Sequence, residues 1–374
     1  MPKAKKLNAI DEKINISHAQ KYDEFVSRRF FGSLDGLRAI SVIAVIWHHT
    51  RGPLASALPV IDAGHHGVTL FFAISGFLIT TLLLRERQRT GSINLKAFYI
   101  RRGLRIFPLY YGVIALYVVL VFSLERNSQV GREFFNNLPF FLTYTSNWFV
   151  PLEGRVIFYF AWSLAAEEQF YLVWPGIQKL MRPPYAIVLV ASAVVLVAIA
   201  PWIASNYLST EKSFVLKVIT SVPLAICIGV LLAHALHFEK SFHVLNSIFG
   251  SRFSSSVWML LFLAVLNWPA APMIIVHTFA VLLVGACTYR EDHILADVLK
   301  SRALAYVGTV SYGVYLLHML VKNAVMKAAS GFGFDVTPIG IFLTVTILSV
   351  IAAGLSFRYF ESFFLDLKNK IGST

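Results

Sequence analysis

Apolar residues fall in blocks of about 20 along this chain, and short stretches between the blocks gather most of the charge. A helix rises about 1.5 Å per residue, so one such block matches the hydrocarbon thickness of a bilayer. The blocks show no apolar–polar alternation suited to a barrel, and open sheet edges cannot face lipid. The pattern predicts an all-α, polytopic membrane helical bundle whose outer face meets membrane lipid.

In order, the predicted spans run from Arg38 to Ala57, His66 to Leu84, Leu104 to Leu124, Phe158 to Leu180 and Ala186 to Ala204. They continue from Leu216 to His234, Ser255 to Trp268, Ala271 to Cys287, Leu304 to Val325 and Ile339 to Phe357. That is about ten transmembrane helices of roughly bilayer length. The apolar part of residues 137–150, LPFFLTYTSNWFV, is short and rich in polar groups, and reads as an interfacial or re-entrant piece.

Charge sets the orientation. The most basic loop carries Arg85, Arg87, Arg89, Lys96, Arg101, Arg102 and Arg105. The positive-inside bias places it in the cytoplasm together with both termini and the loop holding Arg290, Lys300 and Arg302. The expected organisation is a cytoplasmic tail over 1–33, a transmembrane domain over 34–361 and a cytoplasmic tail over 362–374. The first thirty residues are polar and basic, so no cleavable signal peptide is evident, and a multi-pass protein of the cytoplasmic (inner) membrane is expected.

Composition agrees. The chain of 374 residues is 57% hydrophobic and 14% charged, against about 25% charged in soluble domains. The net charge of +13 lies in loops between apolar blocks, so it reads as a topology signal, with no nucleic-acid partner implied. Cys227 and Cys287 lie inside apolar blocks and read as packed thiols.

Ionisable groups within the spans are the candidate chemistry, because such groups are costly there. In LDGLRAISVIAVIWHHT, Arg38 marks the membrane entry, and His49 lies eleven residues on, about 16 Å along a helix and near the bilayer middle. His48 is its neighbour, about 100° round the helix. Glu167 and Glu168 lie at a similar depth in the fourth span. A carboxylate behind a histidine fixes its tautomer and steadies the imidazolium formed when a proton is taken, which makes His49 a candidate general base supported by Glu167. Such a pair suits activation of a hydroxyl for attack on a thioester and needs no metal. His65 and His66 lack a spaced third ligand, so no metal site is expected. Arg102 and Arg105 share one helix face and suit bidentate binding of phosphates. Ser75, in ISGF, is a nucleophile by type, but its small size beside Gly76 suits close helix packing.

Five separated motifs carry a family resemblance: LDGLRA with Arg38 and His49, GVTLFFAISGFLIT, RRGLRIFPLYY with Arg102 and Arg105, WSLAAEEQFYLVWP with Glu167, and SYGVYLLH with Tyr315 and His318. Together they resemble the acyltransferase-3 family of integral membrane acyltransferases, in the family's order and over most of the chain. The resemblance implies transfer of an acyl group, often acetyl, from cytoplasmic acyl-CoA as donor substrate, with no permanently bound cofactor. It implies an acceptor hydroxyl on an envelope saccharide or lipid-linked saccharide, or on a small molecule. The family's Arg and His map onto Arg38 and His49, and its Arg-x-x-Arg onto Arg102 and Arg105. Glu168, His318, Tyr315 and Ser75 are expected to contact the acceptor or to support the other groups. Some relatives add an extracytoplasmic hydrolase-like domain. This chain ends soon after its last span, so acceptor handling is expected from the membrane domain or a partner. The rival from another class is a proton-coupled transporter that uses His49 and Glu167 as a relay.

Overall fold

The computed structural model describes residues 20–51, 59–207, 214–333, 335 and 337–371, which are helical or connecting throughout. Lys3, Lys5 and Lys6 of the expected tail and the predicted end of the first span at Ala57 lie outside the described residues. The helices used below are α1 (Gly32–Thr50), α2 (His66–Thr90), α3 (Leu95–Leu124), α4 (Ala161–Leu180) and α5 (Pro183–Tyr207). They continue with α6 (Leu224–His237), α7 (Met273–Tyr289), α8 (Ser311–Phe332) and α9 (Pro338–Ser356).

The all-α architecture matches the apolar pattern, but the expected ten spans are not reached. Among the described residues four helices are long and apolar enough to cross a membrane: Pro59–Thr90, Leu95–Leu124, Pro183–Ile203 and Pro338–Leu367. Counting each sharply bent helix pair as one span raises the number to 8. The difference has local causes. α4 has the length but is interrupted by Glu167, Glu168 and Gln169. The stretch predicted as the seventh span folds as a 13-residue helix, Ser254–Leu266, bent 71° from the helix before it. Residues 137–150, which the sequence pattern leaves out of the ten, do not form a span: Gln129–Leu142 has 14 residues, about 21 Å of helix, and is followed by the single turn Ser146–Phe149.

α1 is the spine. Its first turns bury Leu34 and Leu37 in one apolar core with α2, α6 and α7. Its later turns bury Val42, Val45 and Ile46 in a second core with α3, α4 and α8. Its start is fixed by a bond between Ser33 Oγ and His293 Nε2, 2.8 Å long. Burial pushes the His293 imidazole down to about 4, with Lys300 adding to the shift, so it is neutral near pH 7.

α2 and α6 cross in close contact because each presents a glycine to the other. A Cβ on Gly76 would lie 2.1 Å from the Ile226 carbonyl oxygen, and one on Gly229 would lie 2.6 Å from the Ala73 carbonyl oxygen. Backbones this close are the reason small residues gather at helix crossings in membranes. The outward faces of α5 and α9 leave Val188, Val195, Ile347 and Ile351 more than half exposed, as lipid-facing positions would be. Ahead of α1, helix Gln20–Ser27 packs into the first core through Phe25. Arg28 bonds the Thr288 carbonyl oxygen at 2.7 Å, and Arg85 donates to the carbonyl oxygens of Phe25 and Arg28. The basic loop after α2 and the loop after α7 are therefore at the same end of the bundle.

Candidate active site

Two cavities lie back to back in the bundle, and Val68, Phe72 and Tyr315 line both. One, of about 290 Å³, gathers Arg38, Arg101, Arg102 and Arg105 with Glu86, Glu167 and Glu168. The other, of about 800 Å³, holds His48, His49, His65, His66 and His277. The sequence separates these two sets by residue type. In the fold they line separate cavities that share Val68, Phe72 and Tyr315 as walls.

In the histidine-lined cavity, His49 Nδ1 lies 2.8 Å from His318 Nε2, and the two rings stack at 13° with centroids 5.0 Å apart. His318 is fully buried, and its Nδ1 lies 2.5 Å from the Tyr315 carbonyl oxygen. A carbonyl oxygen can only accept, so His318 Nδ1 carries the proton. A neutral His318 then presents a bare Nε2, and His49 Nδ1–H donates to it. This chain of bonds leaves His49 Nε2 as an unprotonated acceptor, the atom a general base requires. Tyr315 is held in turn by its hydroxyl, 2.6 Å from Ser163 Oγ.

Glu167 does not stand behind His49, contrary to the sequence expectation. Its Oε1 accepts from Ser75 Oγ and from the Tyr171 hydroxyl, and lies 3.6 Å from Arg102 Nη2. The reason is local neutralisation: two hydroxyls and a guanidinium hold the carboxylate in the arginine-lined cavity, whereas His318 arrives from α8 to meet His49. Ser75 thus spends its hydroxyl on Glu167, while the close packing expected of it belongs to Gly76. Glu168 shares the same counter-ion, 3.4 Å from Arg102 Nη2. Neighbours on a helix diverge, yet one long guanidinium reaches both. Arg102 also sits over the Tyr171 ring, with Cζ 3.6 Å from the centroid, a cation–π contact.

The three candidate phosphate ligands therefore differ. Arg102 is committed to two carboxylates and a ring, and Arg38 donates to Asp35 Oδ1 at 2.9 Å. Arg105 lines the cavity with no hydrogen bond or ion pair among the described residues.

His48 lines the same cavity as His49 but faces His65, with ring centroids 5.2 Å apart. Its Nδ1 is buried without a hydrogen-bond partner. Among the described residues, no group of three His, Cys, Asp or Glu is placed to hold a metal ion. Sequence reasoning missed Ser163 and Tyr171. Tyr171 had a readable signal, since it follows Glu167 by one helical turn on the same face. Ser163 had none, because its partner is 152 residues away.

These features define a membrane helical enzyme with a buried imidazole relay beside an arginine-lined cavity. The acyltransferase domain of the acyltransferase-3 family matches residues 31–358, and the chain belongs to that family. It is 28% identical over 367 residues to the peptidoglycan O-acetyltransferase OatA of Listeria monocytogenes, covering 90% of this chain and 56% of that protein. It is 28% identical over 365 residues to the O-acetyltransferase OatA of Staphylococcus aureus, covering 92% of this chain and 58% of that protein. The chain thus spans less than two thirds of the length of these relatives. No solved structure matches it. Membership of an acyltransferase family decides against the transporter reading.

Proposed function

We propose that this protein is an O-acyltransferase of the cytoplasmic membrane that moves an acetyl group from acyl-CoA to a hydroxyl of an envelope saccharide. The single observation that carries the reading is the bond chain from the Tyr315 carbonyl through His318 to His49, which leaves His49 Nε2 as the base. In this reading the arginine-lined cavity opens to the cytoplasm and receives the donor. Arg105 takes a CoA phosphate with Arg38 beside it, and Arg102 holds Glu167 and Glu168 in place. The thioester reaches the partition formed by Val68, Phe72 and Tyr315, and the acceptor enters the histidine-lined cavity.

The acceptor hydroxyl gives its proton to His49 Nε2 as its oxygen attacks the thioester carbonyl. The imidazolium that forms keeps its Nδ1–H on the lone pair of His318, so no bond is broken as the charge appears. Collapse of the tetrahedral intermediate breaks the carbon–sulfur bond. His49 Nε2–H gives that proton to the departing sulfur, which leaves as the CoA thiol; the base is regenerated and the ester remains on the saccharide. Likeness to the peptidoglycan and other O-acetyltransferases above supports an acetyl donor and a saccharide acceptor. The test is transfer of labelled acetyl from acetyl-CoA to glycan fragments by the purified protein, compared with His49→Ala. Wild-type transfer that His49→Ala abolishes supports the reading, and equal transfer by both proteins removes the base.

A further inference from the structure

Three consecutive polar residues interrupt α4, and the first two, Glu167 and Glu168, serve the arginine-lined cavity. The third, Gln169, turns to another part of the chain. Its Nε2 donates to the Tyr144 carbonyl oxygen at 2.8 Å and to Asn147 Oδ1 at 2.9 Å, and its Oε1 accepts from Asn147 Nδ2 at 3.0 Å. A carbonyl oxygen only accepts, so the Tyr144 contact fixes which end of the Gln169 amide is the donor. The whole amide is thus spent on one turn of chain, residues 144–147.

That turn is not held by its own backbone preference. Among the described residues, the non-glycine residues with positive φ are Tyr144, at 53°, and Phe158, at 64°. A Cβ makes this region costly, and such residues persist where their surroundings enforce them. The Tyr144 ring stacks on Tyr110 of α3 with centroids 4.2 Å apart, and Tyr110 also meets Phe158. From Phe158 the ring contacts pass to Phe160 and on to His318, whose centroid lies 5.5 Å from that of Phe160. The segment that Gln169 holds is therefore packed, ring by ring, onto the base relay. Further along the same segment, Trp148 Nε1 donates to Ser221 Oγ at 2.8 Å.

The clamped turn presents Ser146. This residue is 2% exposed, lines the histidine-lined cavity with His49, and has an Oγ with no hydrogen-bond partner among the described residues. Other helical serines, Ser41 and Ser163, spend their hydroxyls on a carbonyl oxygen one turn earlier. Ser255 and Ser349 are also buried without a partner, but they line neither cavity. A buried hydroxyl left unpaired is costly, and one facing a cavity can be paired by what fills it. A hydroxyl both donates and accepts, so it matches another hydroxyl. We infer that Ser146 is an acceptor-binding residue, which bonds one hydroxyl of the saccharide while the reacting hydroxyl meets His49, and that Gln169 is the residue that positions it. The inference rests on the reading of this cavity as the acceptor site.

The test is acetyl transfer from acetyl-CoA to peptide-free glycan strands of peptidoglycan by the full-length protein in detergent, with donor and acceptor titrated separately. Equilibrium binding of the same strands is measured without donor. Ser146→Ala should raise the acceptor KM about ten-fold, with kcat and the acetyl-CoA KM within about three-fold of wild type. Gln169→Glu sets a carboxylate oxygen against the Tyr144 carbonyl and should give a similar rise. Because Gln169 acts through Ser146, the double variant should be no worse than Gln169→Glu alone, whereas independent effects would multiply to about a hundred-fold. An acceptor KM within about three-fold of wild type in Ser146→Ala, a multiplied loss in the double variant, or no binding of the strands by the wild-type protein would overturn the inference. A Gln169→Glu protein that unfolds at lower temperature but keeps the wild-type acceptor KM would overturn its positioning role. Transfer indifferent to Ser146→Ala sinks the Ser146 site alone. Strand binding that Ser146→Ala weakens about ten-fold, without any transfer, sinks the acyltransferase assignment alone.

Discussion

His49 and His318 are 269 residues apart in the chain, and their facing nitrogens are 2.8 Å apart in the fold. The bond fixes which nitrogen of His49 is free. His318 can accept at Nε2 only because its own Nδ1–H is held by the Tyr315 carbonyl one turn earlier on α8.

That relay sets the first prediction. In the proposed mechanism His49 is the base, so His49→Ala should lower the rate of transfer by about 10²–10⁴-fold. His318→Phe should keep a buried ring but free His49 to adopt the wrong tautomer, with a loss in kcat of similar order. Acetyl-CoA affinity should be retained in both, because the arginines line the other cavity. His48→Ala should cost less, since His48 has no bond to His318. Single-turnover rates with direct donor binding would check this. An inactive His48→Ala beside an active His49→Ala would place the base on the wrong residue.

The arginines should separate by phenotype. Arg105→Ala is expected to weaken acetyl-CoA binding with little effect on stability, and Arg105→Lys to restore part of it, because an ammonium lacks the bidentate fork. Arg102→Ala should instead destabilise the protein by on the order of 3 kcal/mol, since it strands Glu167 and Glu168 without their counter-ion. Donor titration and thermal unfolding in detergent measure the two effects. Equal behaviour of the two variants in both assays would contradict the division of roles.

Helix α2 should not tolerate a side chain at Gly76. The Ile226 carbonyl lies where the Cβ would go, so even Gly76→Ala must push α6 away. The expected outcome is a lower unfolding temperature and reduced yield of folded protein, whereas Gly176→Ala, with open space around it, should be neutral. A stable Gly76→Ala protein would show that the crossing can open without cost.

His293 gives a pH dependence outside the spans. Its folded value of about 4 lies below the ordinary value of 6.5, so the unfolded chain binds more protons between these limits. The stability it contributes is present above about pH 6.5 and is lost as pH falls towards 4. His293→Gln should flatten the fall in unfolding temperature over that window. An unchanged slope would mean that other groups govern acid stability.

Orientation can be read by labelling. Arg89, in the last turn of α2, and Asp297, on the short helix Ala296–Leu299, are exposed at the end of the bundle tied together by Arg28. In the proposed orientation, Arg89→Cys and Asp297→Cys should both resist an impermeant thiol reagent on intact cells and both react after permeabilisation. Labelling of either one from outside would reverse or break the topology.

The sequence by itself determined the chemistry available and the medium in which it operates. Blocks of apolar residues must be helical in lipid because the backbone has no other partner there. Arg38, His49, Glu167 and the Arg102–Arg105 pair stand out because charge inside such blocks is costly. Motif order was also enough to reveal the family resemblance. Periodicity along one helix, however, says nothing about which other helix faces it. Only the tertiary structure decided that His49 meets His318 and that Glu167 turns to Ser75, Tyr171 and Arg102. The same holds for the span count. Local hydropathy marks residues 137–150 as too short to cross, but it cannot show that Glu239–Phe249 and Ser254–Leu266 bend by 71° at their junction. Depth in the membrane is written in sequence spacing at about 1.5 Å per residue, but partnership is set by the packing of helices hundreds of residues apart.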